Sequence, residues 1–265
     1  MRLISWNINV RTNCARHVNA LSEHNPDIVA LQEVNPNCVS ELHEKLPLIG
    51  LGNILDNASF AVQFGRRNYY GLIASRWPID PLSPDKFDIP FPESVLSVNI
   101  AAPKSNLEIH SAHIPPGSSH GWKKIETFEG IHKYLSHDAD CPRILCGDFN
   151  SPRLELSNGQ VFTWGQTEKG NIRKGRERWD AGERSLIQGL EVYGLHDVFR
   201  LIHGYEKQEF SISMKHRSKT TLRRFDHVFA SKILNPIACS YLHKLRDQGL
   251  SDHSPLEVDF SPLYQ

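Results

Sequence analysis

Residues 144–150 read ILCGDFN, an apolar run that stops abruptly on Gly147, Asp148, Phe149 and Asn150. Side chains two apart on an extended chain point to one face, so Asp148 and Asn150 would present a carboxylate and an amide side by side. Gly147 leaves space for another backbone or a ligand to approach closely. Taken alone, the segment reads as a turn, because Gly, Asp and Asn all favour turns. Other apolar runs end in the same manner. Asn7 closes LISWN, Gln32 and Glu33 close IVALQE, and His113 closes LEIHSAH. Asp226 stands at the entrance of FDHVFAS, and Asp252 and His253 immediately precede SPLEV.

These residue types have a joint chemical logic. Glu33 and Asp252 are hard oxygen ligands suited to a magnesium or manganese ion, which keeps part of its water shell for a substrate. Asp148 and Asn150 could orient and activate a water. His253 could meet the negative charge that develops on phosphorus, its tautomer held by a carboxylate such as Asp226. A metal, a water and an imidazole around one phosphorus atom are the parts of metal-assisted phosphodiester hydrolysis. Each part also has a plain structural reading. Asn7 is a strand-end hydrogen bonder, Glu33 a surface carboxylate before the NPN turn, and His113 a half-buried histidine. Asp226 is an ion-pair partner for Arg223 and Arg224, and SDHSP is a turn. One by one the plain readings suffice; together they require many coincidences.

The elements that would carry these residues are short and numerous. Strand-like runs occur at 2–8, 27–33, 69–75, 95–101, 107–114, 143–148, 225–231 and 256–260, several with period-two alternation and many β-branched or aromatic residues. Helical spacing appears at 14–24, which stops before Asn25-Pro26, and at 121–137, with Ile125, Phe128, Ile131 and Leu135 on one stripe. A third helical stretch, 183–194, ends at Gly194. Strands outnumber helices, and hairpins mix with strand–helix–strand units. That mixture predicts an α/β sandwich with helices outside rather than a purely parallel sheet. No repeat, low-complexity tract or linker divides the chain, so residues 1–265 read as one domain.

Bulk properties exclude little. The 265 residues carry 30 Lys+Arg against 30 Asp+Glu, so attraction to a polyanion must come from local patches. One such patch is 215–224, KHRSKTTLRR, with five basic residues and no acid; Arg217, Lys219, Arg223 and Arg224 are its candidate phosphate contacts. The charged stretch 166–184 reads as a solvated loop. Trp164 and Trp179 read first as core residues and second as stacking or wedge residues. Five scattered cysteines without a CxxC pair fit reduced thiols in a cytosol. The N-terminal MRLISWNINV is too short and too polar for a leader or a span. The expectation is a soluble, cytoplasmic, monomeric protein.

The ordered set SWNIN, ALQEV, GLIASRWPI, SAHIPPG, LCGDFNSP, GLHDVFR, RRFDHVFAS and LSDHSPLEV, running from Trp6 to Val258, resembles the endonuclease/exonuclease/phosphatase superfamily. That group takes in exonuclease III-like and DNase I-like enzymes. The resemblance implies a DNase I-like four-layer α/β/β/α sandwich of two packed mixed β-sheets flanked by helices. It also implies a magnesium- or manganese-dependent phosphodiesterase, with DNA as the substrate best matched. Carried over by motif, Glu33 becomes the main metal ligand with Asn7 beside it, and Asp252 a further carboxylate on the metal side. Asp148 positions or activates the water, helped by Asn150. His253, polarised by Asp226, contacts the scissile phosphate, and His113 occupies a catalytic position that is histidine in DNase I-like branches. GDFNSP and RFDHVF differ from the inositol-phosphatase forms of these motifs, and LQEV and SAHIPPG differ from the abasic-site forms. A sphingomyelinase-like or phosphotyrosyl-DNA substrate remains the alternative, followed by an inactive binding module.

Overall fold

A computed structural model describes residues 1–58, 69–83, 86–103, 105–216 and 219–261, with the backbone alone for Lys215, His216 and Lys219. β1 (Arg2–Asn7) leads through α1 (Cys14–His24) to β2 (Ile28–Val34), α2 (Val39–Lys45), β3 (Asn53–Asp56) and β4 (Tyr70–Ser75). β5 (Ile79–Pro81), β6 (Val95–Ala102) and β7 (Ser105–His113) precede the short α3 (Gly117–His120), α4 (Lys123–Leu135) and β8 (Arg143–Asp148). Next come β9 (Leu154–Glu155), β10 (Val161–Phe162), α5 (Glu177–Ile187), β11 (Leu195–Asp197) and α6 (Val198–His203). The pair β12 (Ile212–His216) and β13 (Lys219–Arg223) is followed by β14 (Asp226–Ser231), β15 (Pro236–Tyr241), α7 (His243–Asp247) and β16 (Leu256–Phe260).

Two six-stranded sheets result, ordered β15-β16-β1-β2-β4-β3 and β11-β14-β8-β7-β6-β5. Each is mixed, with one parallel pair at its centre: β1 with β2, and β7 with β8. A parallel pair needs a crossover, supplied by α1 in the first sheet and by α3 and α4 in the second. Strict alternation sorts the strands' side chains between layers. Leu3, Ile28 and Ala30 of one sheet meet Ile109, Ile144, Cys146 and Val228 of the other in the inter-sheet core. On the outer face of the first sheet, Ile4, Trp6, Val29 and Leu31 pack with Val18 and Leu21 of α1 and Leu42 of α2. On the outer face of the second, Ala112, Leu145 and Phe229 pack with Phe128, Ile131 and Leu135 of α4 and Leu186 of α5. Each fully buried Leu, Ile or Phe contributes about 1.5–3 kcal/mol. The expected four-layer sandwich is the architecture observed.

Local sequence explains most element ends. Asn13 caps α1 by accepting from the Arg16 N–H, and Asn25 closes it in the left-handed conformation, just before Pro26. The third expected helix is displaced: α5 starts at Glu177, inside the stretch read as a loop, and stops at Ile187. Its early turns bury Trp179, Asp180 and Glu183, a partly polar stripe that apolar periodicity does not register. Gly194 caps a short 3₁₀ turn, Leu190–Tyr193, instead of an α-helix. Among the described residues, no helix is long and apolar enough to cross a membrane.

The cysteine reading needs correction. Cys14 and Cys38 form a disulfide with their Cα atoms 5.8 Å apart, leaving Cys141, Cys146 and Cys239 free. Parallel pairing is the cause. β1 and β2 run side by side, so the segments that follow them emerge as neighbours, although 24 residues separate the two cysteines. Closing a loop of that length removes chain entropy from the unfolded state and so stabilises the fold by about 3 kcal/mol. Reductant should therefore lower the urea midpoint of unfolding, and an unchanged midpoint would show that the bridge does not contribute to stability.

Candidate active site

The alternation that builds the inter-sheet core continues to the ends of the central strands. Asn7, His113 and Asp148 lie at the carboxyl ends of β1, β7 and β8, on the parity of Leu3, Ile109 and Ile144. Asp226, at the entrance of the antiparallel β14, shares the parity of Val228 and Ala230. Register then lines up three of these residues across one sheet: His113 pairs with Asp148, and Asp148 with Asp226. Asn7 faces them from the other sheet, its Nδ2 donating to Asp148 Oδ2 at 3.0 Å.

Glu33 reaches the cluster by breaking the pattern. Its neighbours Val29 and Leu31 face the outer helices, and simple alternation would send Glu33 with them. A bulge between Leu31 and Val34, together with a left-handed φ of 51° at Glu33, turns it inward. Such a conformation costs a non-glycine residue roughly 1–3 kcal/mol. Its Oε1 accepts from Asn7 Nδ2 at 3.3 Å and lies 3.4 Å from His113 Nε2.

GDFN turns out to be both turn and site. Gly147 has φ +130°, and a Cβ there would collide with the Ala112 carbonyl oxygen, so the glycine is required by the neighbouring strand. Asp148 Oδ1 accepts the Asn150 N–H at 2.8 Å, and Asn150 adopts φ 50°. The Asn150 amide then donates to the Ile114 carbonyl at 3.0 Å. Lys124 Nζ bonds to the Asn150 carbonyl and Ser151 Oγ, each at 2.8 Å, while Glu183 balances its charge, also at 2.8 Å. This buried lysine sits on the same stripe of α4 as Phe128, Ile131 and Leu135, where its charge made it read as the solvated start of the helix. Ser251 was missed as well: its Oγ donates to the Asn7 carbonyl at 2.6 Å and accepts the His253 N–H at 3.1 Å.

Asp148 is 2% exposed and stands between two imidazoles, with His113 Nε2 and His253 Nε2 each 3.8 Å from its Oδ2. His253 Nδ1 bonds to Asp226 Oδ2 at 2.7 Å. Burial raises the Asp148 carboxyl above its ordinary value; Asp226 adds to that rise and the two histidines oppose it. Burial alone would lower the His253 imidazole, but Asp226 and Asp148 override it and raise it to about 10. His253 is thus a cation held between carboxylates. Potential ligand atoms of Glu33, His113 and Asp148 lie within 4.8 Å of one another, as do those of Asp148, Asp226 and His253. Asp226 Oδ1 is buried without a hydrogen-bond partner among the described residues. Three buried carboxylates form a hard oxygen donor set, which fits a magnesium- or manganese-like cation, while the Asn7 amide turns its Nδ2 to Glu33 and Asp148 and its Oδ1 to the Asn9 N–H.

Asp252 does not join these groups. It is exposed; the Ser251 hydroxyl lies 3.5 Å from its carboxylate, and its charge acts on His253 from a distance. The basic segment also needs revision. Arg224 is 4% exposed and cannot meet a phosphate. Its guanidinium forks onto Glu155 at 2.6 and 2.7 Å and onto Asp197 at 2.6 and 3.2 Å, because residue 224 precedes β14 with its side chain turned into the protein. Arg223 is half-buried and donates to the Leu222 carbonyl at 3.0 Å. Arg217 lies outside the described residues, as does the side chain of Lys219.

A family model described as the Endonuclease/Exonuclease/phosphatase family matches residues 4–253. Among solved structures, the chain is similar to an AP endonuclease from Archaeoglobus fulgidus, with 20% identity, TM-score 0.72, and coverage of 99% of this chain and 100% of the other. The 3′ phosphatase NExo from Neisseria, bound to a product DNA hairpin, matches with 20% identity, TM-score 0.68 and coverage of 99% and 100%. D. rerio TDP2, complexed with a single-strand DNA product, matches with 18% identity, TM-score 0.66 and coverage of 99% of each chain. A search of curated protein sequences finds no match.

The network around Arg224 has a measurable signature. Burial would raise the Glu155 carboxyl, but Arg224 and Arg200 outweigh it and hold it down to about 2. A depressed carboxyl stabilises the fold above its unfolded value near 4.5, and that contribution is lost as pH falls toward 2. Urea unfolding across this window should show a loss of up to about 3 kcal/mol from this group. In Glu155→Gln that part of the acid slope should disappear; an identical slope would assign the acid sensitivity to other carboxylates.

Proposed function

Because the chain belongs to the endonuclease/exonuclease/phosphatase family, we propose that it is a divalent-metal-dependent phosphodiesterase whose substrate is DNA. The observation that carries this reading is the buried Asp148, clamped between the His253–Asp226 pair on one side and Glu33 with Asn7 on the other. The DNA products bound to two of the similar structures support the choice of substrate.

In this reading Glu33 would hold a magnesium or manganese ion, with Asn7 and Asp148 beside it. When bound, such an ion polarises a phosphoryl oxygen and stabilises the charge that develops there. The protein's own groups do the rest. Asp148 positions the attacking water and accepts its proton, and burial favours that role by raising its proton affinity. Asn150 N–H and Asn7 Nδ2 hold one carboxylate oxygen each, so the base is fixed before substrate arrives. His253, protonated and oriented by Asp226, donates from Nε2 to a phosphate oxygen. His113 contributes a second imidazole on the Glu33 side. The water oxygen bonds to phosphorus as the bond to the leaving oxygen breaks in line; the leaving oxygen takes a proton from solvent water, giving a 3′-hydroxyl and a 5′-phosphate, and Asp148 returns its proton to solvent.

An end-labelled DNA duplex with one abasic site, incubated with magnesium and with chelator, tests the proposal. Cleavage at the lesion, or a ladder of products, is expected with magnesium only. Absence of any cut would turn the reading toward non-nucleic-acid phosphodiesters. In the same assay Asp148→Asn should lose about a hundredfold or more in kcat with its circular dichroism unchanged. Wild-type turnover in that variant would remove Asp148 from the base role.

A further inference from the structure

The structure separates the two tryptophans. Trp179 is 6% exposed and packs edge-on against Trp122, whereas Trp164 is 36% exposed and lies beside the candidate site. The exposed ring is nevertheless held rigidly. Its Nε1–H donates to the Asn150 carbonyl at 3.0 Å, and its backbone N–H to Glu183 Oε2 at 2.6 Å. The same Asn150 carbonyl accepts from Lys124. One buried cluster thus fixes both the loop after Asp148 and the plane of an exposed indole.

Trp164 lines a cleft of about 420 Å³ together with Phe225, Met214 and Asn150. The indole and the Phe225 ring are 6.5 Å apart between centroids, and Met214 is 44% exposed. Arg173 and Arg176 also line it, and among the described lining residues there is no carboxylate. Among the described residues neither arginine forms an ion pair; Arg176 lies over the Trp179 ring at 4.6 Å. The cleft falls in the roughly 300–1,000 Å³ range of small-ligand sites. An aromatic wall, a flexible thioether and unpaired guanidinium groups match a flat π-system joined to phosphates.

Resting on the nuclease reading above, we propose that this cleft seats the base of the nucleotide adjoining the scissile phosphate, stacked on Trp164, with Arg173 and Arg176 on the neighbouring phosphates. The preferred substrate is then a strand whose base at that position is unpaired and can leave the helical stack. Asn150 sits between the two functions, its N–H on Asp148 and its carbonyl on Trp164.

Single-stranded oligonucleotides cleaved at one defined position test this. One carries natural bases, and two others carry a tetrahydrofuran residue on either side of the cut. For the wild type, kcat/KM should favour the natural strand over one of the base-lacking strands by about tenfold or more. Trp164→Ala should bring that ratio close to one. Trp164→Phe keeps a ring and loses the bond to Asn150, so it should retain most of the ratio even if its absolute rate falls. Arg173→Gln should raise KM and flatten its salt dependence. Equal rates on all three strands, a preference for a base-lacking strand, or a full ratio in Trp164→Ala would each overturn the subsite and leave the nuclease reading in place. No magnesium-dependent cleavage of any strand by the wild type would overturn that reading, and the subsite with it.

Discussion

The hydrogen bond from Asn7 to Asp148 joins the two sheets at the end of a largely apolar interface, which Gln32–Ser111 and Tyr241–Asp226 also cross with polar contacts. It can form because both sheets centre on a parallel pair whose carboxyl ends reach the same edge of the sandwich. Parallel pairing dictates that the ends of β1 and β2 lie together, and likewise those of β7 and β8. Inter-sheet packing then brings the two pairs face to face. Side-chain alternation does the final sorting: on the core parity Leu3, Ile109 and Ile144 are followed by buried Ser5, Ser111 and Cys146, and then by Asn7, His113 and Asp148. The site is the last layer of the inter-sheet core, with oxygen and nitrogen in place of methyl groups.

That location has an electrostatic cost. Asp148, Asp226 and Glu33 are removed from water within a few ångströms of one another, and unpaired carboxylates so placed are strongly unfavourable. Local devices offset the cost in part. His253 carries a positive charge between two of them, and the backbone N–H of Asn150 and the amide of Asn7 occupy the Asp148 oxygens. The remaining excess of negative charge is what a divalent cation would neutralise. A few residues away, the same protein uses the opposite solution: Glu155 and Asp197 are fully matched by Arg224 and Arg200. The first arrangement is poised to accept a partner, and the second is complete.

Much of this was legible in the sequence, for identifiable reasons. Strand runs ending in Asn7, His113 and Asp148 obey a period-two rule, and the stripe of Ile125, Phe128, Ile131 and Leu135 obeys the helical one. Contacts that depend on three-dimensional neighbours were not legible. Glu33 points inward through a bulge and a left-handed backbone, and Lys124 is a charged residue on the apolar stripe of its helix, buried against Glu183. Cys14 and Cys38 meet through parallel strands, and Arg224 turns away from the basic segment to which it belongs in sequence. In each case a specific partner overrode a local preference. The expected clustering of Asp252 with Glu33 did not appear either, because its neighbour Ser251 is the residue committed to Asn7.

The pairing of β1 with β16 places residues 2–5 against 256–259 in the middle of a sheet. The first described strand to leave the ribosome therefore waits for the last, and the sheet holding Asn7 and Glu33 is not closed until His253 has been made. Such long-range pairing implies slow, late completion of folding. It also implies order: the strand-end carboxylates can gather before their imidazole arrives, but the full constellation cannot exist in a partly synthesised chain. The activity proposed above would thereby be confined by topology to chains synthesised through β16.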